Sequence, residues 1–520
     1  MSTPREEIPS FNLWYEPWIT LEDAQGQQTR LGIEQTLLQA HQHTTIIELS
    51  PLVVVGIRRL LAAILQAIFD PQRIGDLCAL LRQSAFPEEP VRAFGARYAA
   101  RFDLFSPTAP FLQSADLPQQ PDKKDAPKTV AYLAPELPAG SEVVHFHHGS
   151  DDAYVFCPVC VAGCLCALPA FATVGGRTIK PSINGVPPIY VLPEGRTLFE
   201  SLAYSLVLPN YQPSARSRTQ DLAWWEREPI IQQSHEVIEV GYLHSLTFPA
   251  RRVRLHPGRL DAPCSRCGNP SRWGVRTMIY KMGEYRPKEA PIWFDPFAAY
   301  VLPQSKKGDT PPRPIRPQPN HALWREYASL FLTNAQGGEQ SSRRPTVLDQ
   351  LAELTSECPE RAISLFSFRC VGLRTDMQAK VFEWVEAGFE VPPVLLRDPQ
   401  GGWLVSQAIE FADQCAKTIR SVFTQNWKGE ASLRASMEER FWAALAAPFR
   451  QTVLRMSRPE QRPTAYQEWI ERCVREAKNA FRTAVEYLGD DAATLEKRFI
   501  SERSVYGLLN KLRKEYLPDA

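Results

Sequence analysis

Two short cysteine motifs decide how the first part of this chain is held together: FCPVC at residues 156–160 and PCSRCGN at residues 263–269. Two thiolates separated by two residues can bind one metal ion from a tight turn, and two such pairs complete a tetrahedral site. Gly268, directly after the second pair, favours the sharp turn that such a motif needs. The spacing therefore predicts a structural Zn²⁺ site with four cysteine ligands. They are Cys157, Cys160, Cys264 and Cys267.

The two motifs are separated by 103 residues, far more than in a zinc ribbon. A bound metal would staple two distant segments together, which is a structural use of loop closure. A catalytic zinc instead needs an open position and a nearby acid/base glutamate, and the sequence lacks the patterns that supply them. The alternatives are a redox pair at either motif or independent buried thiols. Further candidate ligands are Cys164, Cys166, His145, His147 and His148.

The composition is that of a folded protein without an overall charge bias. The chain has 520 residues, of which 44% are hydrophobic and 22% charged, and its net charge is +1. These values exclude wholesale disorder and fibrous proteins, and the length predicts two to four domains. The near-zero charge excludes a polybasic protein that coats nucleic acid non-specifically, but it does not exclude a local basic surface.

The distribution of apolar residues and cysteines predicts a cytoplasmic protein. The N-terminal residues lack the basic-then-apolar pattern of a signal peptide. The most apolar stretch, Ile46–Phe69, contains Arg58 and Arg59. Charges there would be costly in a bilayer, so the stretch predicts a buried core helix and no membrane span. Eleven cysteines spread through a large chain predict reduced thiols.

Residues 251–290 form a basic segment, with ten Lys or Arg against three acidic residues and a local net charge of +7. Trp273, Tyr280 and Tyr285 are interleaved with these charges. Basic and aromatic side chains beside a metal-held motif suit contacts to nucleic-acid phosphates. The alternative is a solvated basic face that is paired with acids elsewhere in the chain.

Two common catalytic motifs are missing from the sequence, which disfavours an ATPase motor and a serine hydrolase. It has neither a Gly-x-x-x-x-Gly-Lys-[Ser/Thr] phosphate loop nor a Gly-x-Ser-x-Gly nucleophile elbow. The histidines at 145, 147 and 148 have the chemistry of a metallo-nuclease site, but no acidic cluster in the sequence supports it. The sequence therefore disfavours a metallo-nuclease.

The last 120 residues change character to long amphipathic helices. From Leu404 to Val422, apolar residues recur every three or four positions and so share one helix face. Similar stripes cover Met437–Leu454, Tyr466–Leu488 and Leu495–Leu512. Four such helices in sequence predict an antiparallel bundle.

The predicted fold class is α+β, with two domains. Residues 1–392 are predicted to form a large, irregular mixed N-terminal domain that contains the structural zinc site and is rich in strands and turns after Val155. Residues 393–520 are predicted to form a C-terminal four-helix bundle.

Several features together resemble one family, the CasA family, which is the large subunit of the type I-E CRISPR (Cascade) surveillance complex. They are FNL…EPWI at residues 11–19, RFDLF…P…PF at residues 101–111, the two distant cysteine motifs with Cys-Gly-Asn at residues 267–269, and the helical C-terminus. The resemblance covers nearly the whole chain. It rests on the order of these features along the sequence and not on any single motif.

The resemblance implies a non-enzymatic subunit of an RNA-guided antiviral ribonucleoprotein. Such a subunit recognises a short motif beside the target, the PAM, in the minor groove of double-stranded DNA. It helps to open the duplex so that the guide RNA pairs with the target strand in an R-loop. Its helical bundle contacts neighbouring crRNA-bound subunits, and it helps to recruit a separate helicase-nuclease.

The resemblance also assigns the PAM-reading residues. The glycine loop corresponds to Gly175 and Gly176, the lysine after the second cysteine motif to Lys281, and the inserting wedge residue to Gln378. This sequence departs from the family in having Arg177 where the glycine run can continue. It also has Asp376 and Met377 where relatives carry amides, so its PAM preference is expected to differ.

Two rival hypotheses remain at the sequence level. The first is a zinc-dependent nuclease that uses His145, His147 and His148. The second is an architectural scaffold subunit without direct DNA contact.

Overall fold

The protein is described by a computed structural model, in which the N-terminal part mixes helices and strands and residues 399–516 are almost entirely helical. This confirms the α+β class. The structure describes residues 9–120, 126–134, 137, 154–174, 179–213, 219–303, 311–319, 321–332, 340–358, 364–375 and 381–517.

The helices are short in the N-terminal part and long in the C-terminal part. In the described residues they are α1 Ile33–Leu38, α2 Pro51–Phe69, α3 Ile74–Arg82, α4 Glu88–Tyr98, α5 Pro158–Phe171, α6 Leu198–Ala203, α7 Tyr242–Leu246, α8 Tyr327–Phe331, α9 Thr346–Glu357, α10 Pro399–Asn426, α11 Ala431–Met456, α12 Arg462–Glu486 and α13 Ala492–Tyr516.

The strands form small sheets. They are β1 Ile19–Glu22, β2 Gln28–Leu31, β3 Thr45–Ile46, β4 Lys128–Thr129, β5 Tyr190–Glu194, β6 Arg251–Arg259, β7 Trp273–Met282, β8 Tyr300–Pro303, β9 Arg313–Pro314, β10 Gln340–Arg343, β11 Phe366–Thr375 and β12 Val381–Val391. Three of the sheets have the strand orders β2-β1-β3, β4-β7-β6 and β12-β11-β5, and β8 pairs with β9. Strands β6 and β7 pair as an antiparallel ribbon over their whole length.

The chain divides into two compact units. The first comprises Met1–Pro317, Pro345–Ala362 and Phe366–Phe389, and the second comprises Gln318–Arg344, Ile363–Leu365 and Glu390–Ala520. The second unit thus takes in segments that precede residue 392. The predicted domain boundary at that residue stays a prediction.

The centre of the first unit is α2, which has the length and apolar composition of a membrane span but is 83% buried inside the protein. Its two charges pair with carboxylates, of which Glu194 is partly exposed and Asp295 is buried. Arg58 contacts Glu194 at 2.5 Å and Arg59 contacts Asp295 at 2.8 Å. Because an unpaired buried charge is very costly, these carboxylates are what allow two adjacent arginines in a core helix.

Helix α5, which begins at the first cysteine motif, packs directly on α2. A Cβ atom at Gly56 of α2 would lie only 2.5 Å from the carbonyl oxygen of Cys166. Only glycine therefore permits this close approach of the two helices. The packing fixes α5 against the core of the first unit.

A second buried charge network surrounds Glu284, which is 2% exposed. His244 lies 3.0 Å from its carboxylate, and Arg227 forms an ion pair with it. Burial alone would raise the pKa of Glu284, but the hydrogen bonds from His244 and Arg227 outweigh it and lower the pKa to about 2.

Helices α10 to α13 account for nearly all of the described C-terminal residues, at the four places that the apolar periodicity predicts. Helix α12 packs on each of the other three. The indole of Trp469 in α12 donates to the carbonyl of Ala408 in α10 at 2.7 Å, and its ring lies 5.5 Å from that of Phe449 in α11.

The sequence prediction of reduced thiols is wrong at one pair. A disulfide joins Cys78 in α3 to Cys358 directly after α9, across 280 residues of sequence. The other nine cysteines are free thiols. Spacing along the chain gave no signal for this pair, because only the packing of α3 against α9 brings the two residues together.

Candidate metal centre and nucleic-acid interface

The structure brings the four predicted zinc ligands together. The Sγ atoms of Cys157, Cys160, Cys264 and Cys267 all lie within 4.8 Å of one another. The Sγ atoms of Cys157 and Cys267 are 3.8 Å apart, and those of Cys160 and Cys264 are 3.7 Å apart. Tetrahedral Zn–S bonds of about 2.3 Å place sulfurs about 3.8 Å apart, so the cluster has the dimensions of a Cys₄ zinc centre.

The first pair is delivered by a helix and not by the expected turn in a strand-rich region. Cys157 is the residue before α5, Pro158 is the first helical residue, and Cys160 lies in the first turn. Proline at this position costs no hydrogen bond, because the first amide groups of a helix have no partner within the helix.

The second pair lies on the connection between β6 and β7. The amide of Gly268 donates to the carbonyl of Cys264 at 2.8 Å, and the amide of Cys264 donates to the carbonyl of Asn269 at 3.0 Å. Gly268 has a φ of +72°, in the left-handed region that favours glycine. The turn predicted from Gly268 is therefore confirmed.

Backbone hydrogen bonds hold the two cysteine segments side by side. Phe156 and Val275 exchange two hydrogen bonds of 3.0 and 2.9 Å, and the amide of Ser265 donates to the carbonyl of Val155 at 2.8 Å. The amide of Cys157 also donates to the Sγ atom of Cys264 at 3.2 Å. The fold itself thus arranges the four sulfurs, and a metal ion would bind to a site that is already assembled.

The protonation of the cluster suits metal binding. Hydrogen bonds from the thiols of Cys157 and Cys160 lower the pKa of Cys264 far below that of a free thiol. Hydrogen bonds to Cys157 and Cys264 raise the pKa of Cys160. One sulfur is therefore ready as a thiolate, and binding of Zn²⁺ would displace the remaining protons.

The other candidate ligands do not join this cluster in the part of the chain that the structure describes. Cys164 and Cys166 are buried further along α5, where burial raises the pKa of Cys166. His145, His147 and His148 lie outside the described residues. The cluster of described ligands therefore consists of the four cysteines.

The basic segment is not a continuous phosphate-binding surface, because four of its ten cations have buried side chains. Arg252 pairs with Asp116, Arg266 pairs with Glu48 at 3.0 Å, and Arg254 donates to a main-chain carbonyl at 3.1 Å. The fourth is Arg251. Both faces of β6 are covered by other parts of the protein. The strand therefore lacks the alternation of apolar and polar residues from which buried positions can be predicted. The exposed cations of the segment are Arg259, Arg272, Arg276 and Lys288.

Of the predicted PAM-reading residues, Lys281 is described. It lies on β7 opposite Arg252, it is partly exposed, and the same ribbon carries the second cysteine pair at its connection. Gly175, Gly176 and Gln378 lie outside the described residues, as do Arg177, Asp376 and Met377. Strands β11 and β12, which flank Gln378 in sequence, are neighbours in one sheet.

Comparison with known proteins identifies the family. A model of the CRISPR-associated protein Cse1 matches residues 12–480. The chain belongs to the Cse1 family. Among Cse1 relatives, the CRISPR-associated protein CasA/Cse1 of Thermus thermophilus is 28% identical over 539 residues, which cover 98% of this chain and 99% of the relative. The resemblance to the CasA family is thereby confirmed.

Solved Cse1 structures share the fold. Cse1 from Acidimicrobium ferrooxidans superimposes with a TM-score of 0.80 at 22% identity, covering 98% of this chain and 99% of that one. A chain of a CRISPR RNA-guided surveillance complex superimposes with a TM-score of 0.74 at 21% identity, covering 96% and 100%. The Cse1 fold therefore extends over nearly the entire chain.

Proposed function

We propose that this chain is the DNA-binding, non-enzymatic subunit of an RNA-guided CRISPR complex in the cytoplasm. In this role it recognises the PAM in double-stranded target DNA through the minor groove and promotes duplex opening and R-loop formation. It also helps to recruit the helicase-nuclease. The observation that carries the proposal is the match of the Cse1 family over residues 12–480.

The position of Lys281 supports a role in PAM reading. The β6–β7 ribbon is fixed at its connection by the cysteine cluster and along its length by registered pairing. A lysine on such a ribbon can meet a groove at a defined place. The minor groove presents a degenerate pattern of acceptors, so a few lysine and backbone contacts can tolerate several related motifs. We propose that Gly175 and Gly176 supply the backbone contacts and that a structural Zn²⁺ holds the ribbon.

The strands beside Gln378 support its assignment as a wedge. Arg374 on β11 contacts Glu383 on β12 at 3.0 Å, and Arg369 contacts Glu386 at 3.4 Å. These cross-strand ion pairs brace the two strands where they approach the segment that contains Gln378. Unstacking a base step costs about a few kcal/mol, and a braced pair of strands can hold a side chain against that resistance.

The helical C-terminus supports assembly with other subunits. We propose that α10 to α13 form the predicted four-helix bundle and that its outer surface contacts crRNA-bound neighbours. Several large apolar side chains of α13 are exposed, including Phe499 at 68% and Ile500 at 55%. Exposed apolar side chains of this size are typical of surfaces that become covered on association.

The proposal is tested on the assembled complex with Lys281→Ala and Gln378→Ala. Lys288→Ala serves as the matched control, because Lys288 is an exposed lysine of the same basic segment. The measurement is the affinity for a target duplex with its PAM and for the same duplex with the PAM scrambled. We expect Lys281→Ala to cost about 1–3 kcal/mol on the PAM duplex alone.

The result also distinguishes the rival hypotheses. Unchanged affinity for PAM-bearing DNA in both variants would refute the site assignment and favour a scaffold without DNA contact. Metal-dependent DNA cleavage by the isolated chain, lost when His145, His147 and His148 are replaced, would favour the nuclease.

A further inference from the structure

The guanidinium of Arg251 joins two main-chain carbonyls that lie on either side of Gly175 and Gly176 in the sequence. It donates to the carbonyl of Lys180 at 2.8 Å through Nη1 and to the carbonyl of Thr173 through Nη2. Arg251 is the first residue of β6 and is 3% exposed. One buried side chain of the ribbon thus binds both ends of the segment that contains the two glycines.

Arg251 is itself held in place by the ribbon. Its Nε atom donates to the hydroxyl of Tyr280 on β7 at 3.0 Å, and its guanidinium carbon lies 5.8 Å from the centre of that ring. Nη1 also donates to the carbonyl of Ala250 at 2.8 Å. Its hydrogen-bond partners among the described residues are all neutral oxygens. The guanidinium therefore acts as a donor to several main-chain carbonyl groups and not as a member of an ion pair.

Other contacts attach the same two chain ends to one another and to the ribbon. The amide of Ser182 donates to the carbonyl of Ala172 at 2.8 Å, and the amide of Lys180 lies 3.1 Å from the Sδ atom of Met282 on β7. Ala172 and Ile183 share one apolar cluster with Trp293. The two ends therefore form a stem that packs into this shared cluster, and Arg251 hydrogen-bonds to both of its sides.

We propose that Arg251 is a positioning residue for PAM reading, which fixes the separation of the two ends of the glycine loop and ties them to the ribbon that carries Lys281. The proposal rests on the proposed function, because it takes Gly175 and Gly176 to be the groove-contacting residues. A lysine at position 251 cannot replace the arginine, because the planar fork reaches two carbonyls at once, whereas an ammonium is a single point charge.

The effect is expected in DNA recognition more than in folding. When one of the two carbonyl contacts is lost, part of the ordering of the two chain ends has to be supplied by DNA binding, and we expect the PAM-duplex affinity to drop about tenfold. A target whose strands are already unpaired needs neither PAM reading nor opening, so its affinity is expected to change less than about twofold.

The test compares Arg251→Lys with Arg254→Lys. Arg254 is a matched control, because it is equally buried on the same strand and also donates to a main-chain carbonyl, that of Pro107. Amide hydrogen exchange in the isolated chain at residues 172–174 and 179–182 measures directly whether Arg251 holds the two chain ends. In the assembled complex, the affinity is measured for the PAM duplex and for the same target with a pre-opened bubble.

We expect Arg251→Lys to accelerate exchange at both chain ends and to lower PAM-duplex affinity, while the bubble affinity and the zinc content remain as in the wild type. Arg254→Lys should leave exchange at these ends unchanged. Tyr280→Phe removes only the hydroxyl that holds Nε and should reproduce the effect more weakly. It keeps the test decisive should Arg251→Lys fail to fold.

Unchanged exchange at residues 172–174 and 179–182 in Arg251→Lys and Tyr280→Phe would show that Arg251 does not hold the two chain ends. Faster exchange with unchanged PAM affinity would overturn the positioning role, provided that Gly176→Val still weakens PAM binding. If Gly176→Val also leaves PAM affinity unchanged, the loop assignment in the proposed function fails, and the positioning role fails with it.

Discussion

The cysteine cluster makes the sharpest prediction, which is the effect of replacing one ligand. Cys264→Ala removes a sulfur that is 3.7 Å from the Sγ atom of Cys160, whereas Cys166→Ala removes an equally buried thiol of α5 that lies outside the cluster. The two variants delete the same side-chain atoms from comparably buried sites. Any difference between them therefore reports on the metal.

The expected size of the effect follows from two estimates. With free Zn²⁺ at a hundred times its dissociation constant, loss of the site costs about 2.7 kcal/mol by mass action. If the metal stays attached to both motifs in the unfolded chain, it closes a loop of about 100 residues, which is worth about 4.7 kcal/mol in the chain-entropy model. We therefore expect Cys264→Ala to lose about 3–5 kcal/mol more than the control.

The assay combines metal content with thermal unfolding. Elemental analysis should find one zinc per chain in the wild type and in Cys166→Ala, and none in Cys264→Ala. The unfolding midpoint of Cys264→Ala should fall by roughly 3–7 °C relative to the control. A chelator should lower the midpoint of the wild type but not that of Cys264→Ala. Retention of one zinc by Cys264→Ala, or equal midpoints for the two variants, would refute the assignment of the cluster as a metal centre.

Three further predictions concern the first unit. Asp295→Ala should lower the free energy of unfolding in urea by about 3–5 kcal/mol, because it leaves the buried Arg59 unpaired; a loss below about 1 kcal/mol would contradict this. Gly56→Ala should lower the unfolding midpoint although alanine favours helices, because its Cβ would contact α5; a raised midpoint would show that the helices can separate freely. Glu284 has a pKa lowered from 4.5 to about 2, so its contribution is present above pH 4.5 and is lost as the pH falls towards 2. Between pH 6 and pH 3 the wild type should therefore lose about 2 kcal/mol more than Glu284→Gln in urea unfolding, and parallel pH profiles would contradict the assignment.

The candidate site shows where sequence reasoning succeeds and where it stops. The spacing of each cysteine pair is a local property, and a ligand pair separated by two residues predicts a metal-binding geometry in any fold. That the two pairs meet is a tertiary fact. It depends on backbone hydrogen bonds between segments more than 100 residues apart, such as the exchange between Phe156 and Val275.

The basic segment shows the opposite case. Its charge predicts a basic surface, but the side chains of four of its arginines are buried: Arg251, Arg252, Arg254 and Arg266. A count of charges cannot distinguish an arginine that faces solvent from one that is buried and hydrogen-bonded inside the protein. The carboxylates and carbonyls that bind the buried arginines come from segments that are distant in the sequence. The same limit applies to Cys78, whose disulfide partner is 280 residues away.

The sequence by itself determined the family, the four C-terminal helices and the identity of the clustered cysteines. Each of these depends on a pattern that repeats over a few residues or on the order of motifs along the chain. Only the tertiary structure decided that the first cysteine pair begins a helix, that Arg58 and Arg59 are paired in the core, and that Arg251 spans the stem of the glycine segment. The physical reason is that burial and pairing of a polar group depend on which distant atoms surround it, and no local pattern records those neighbours.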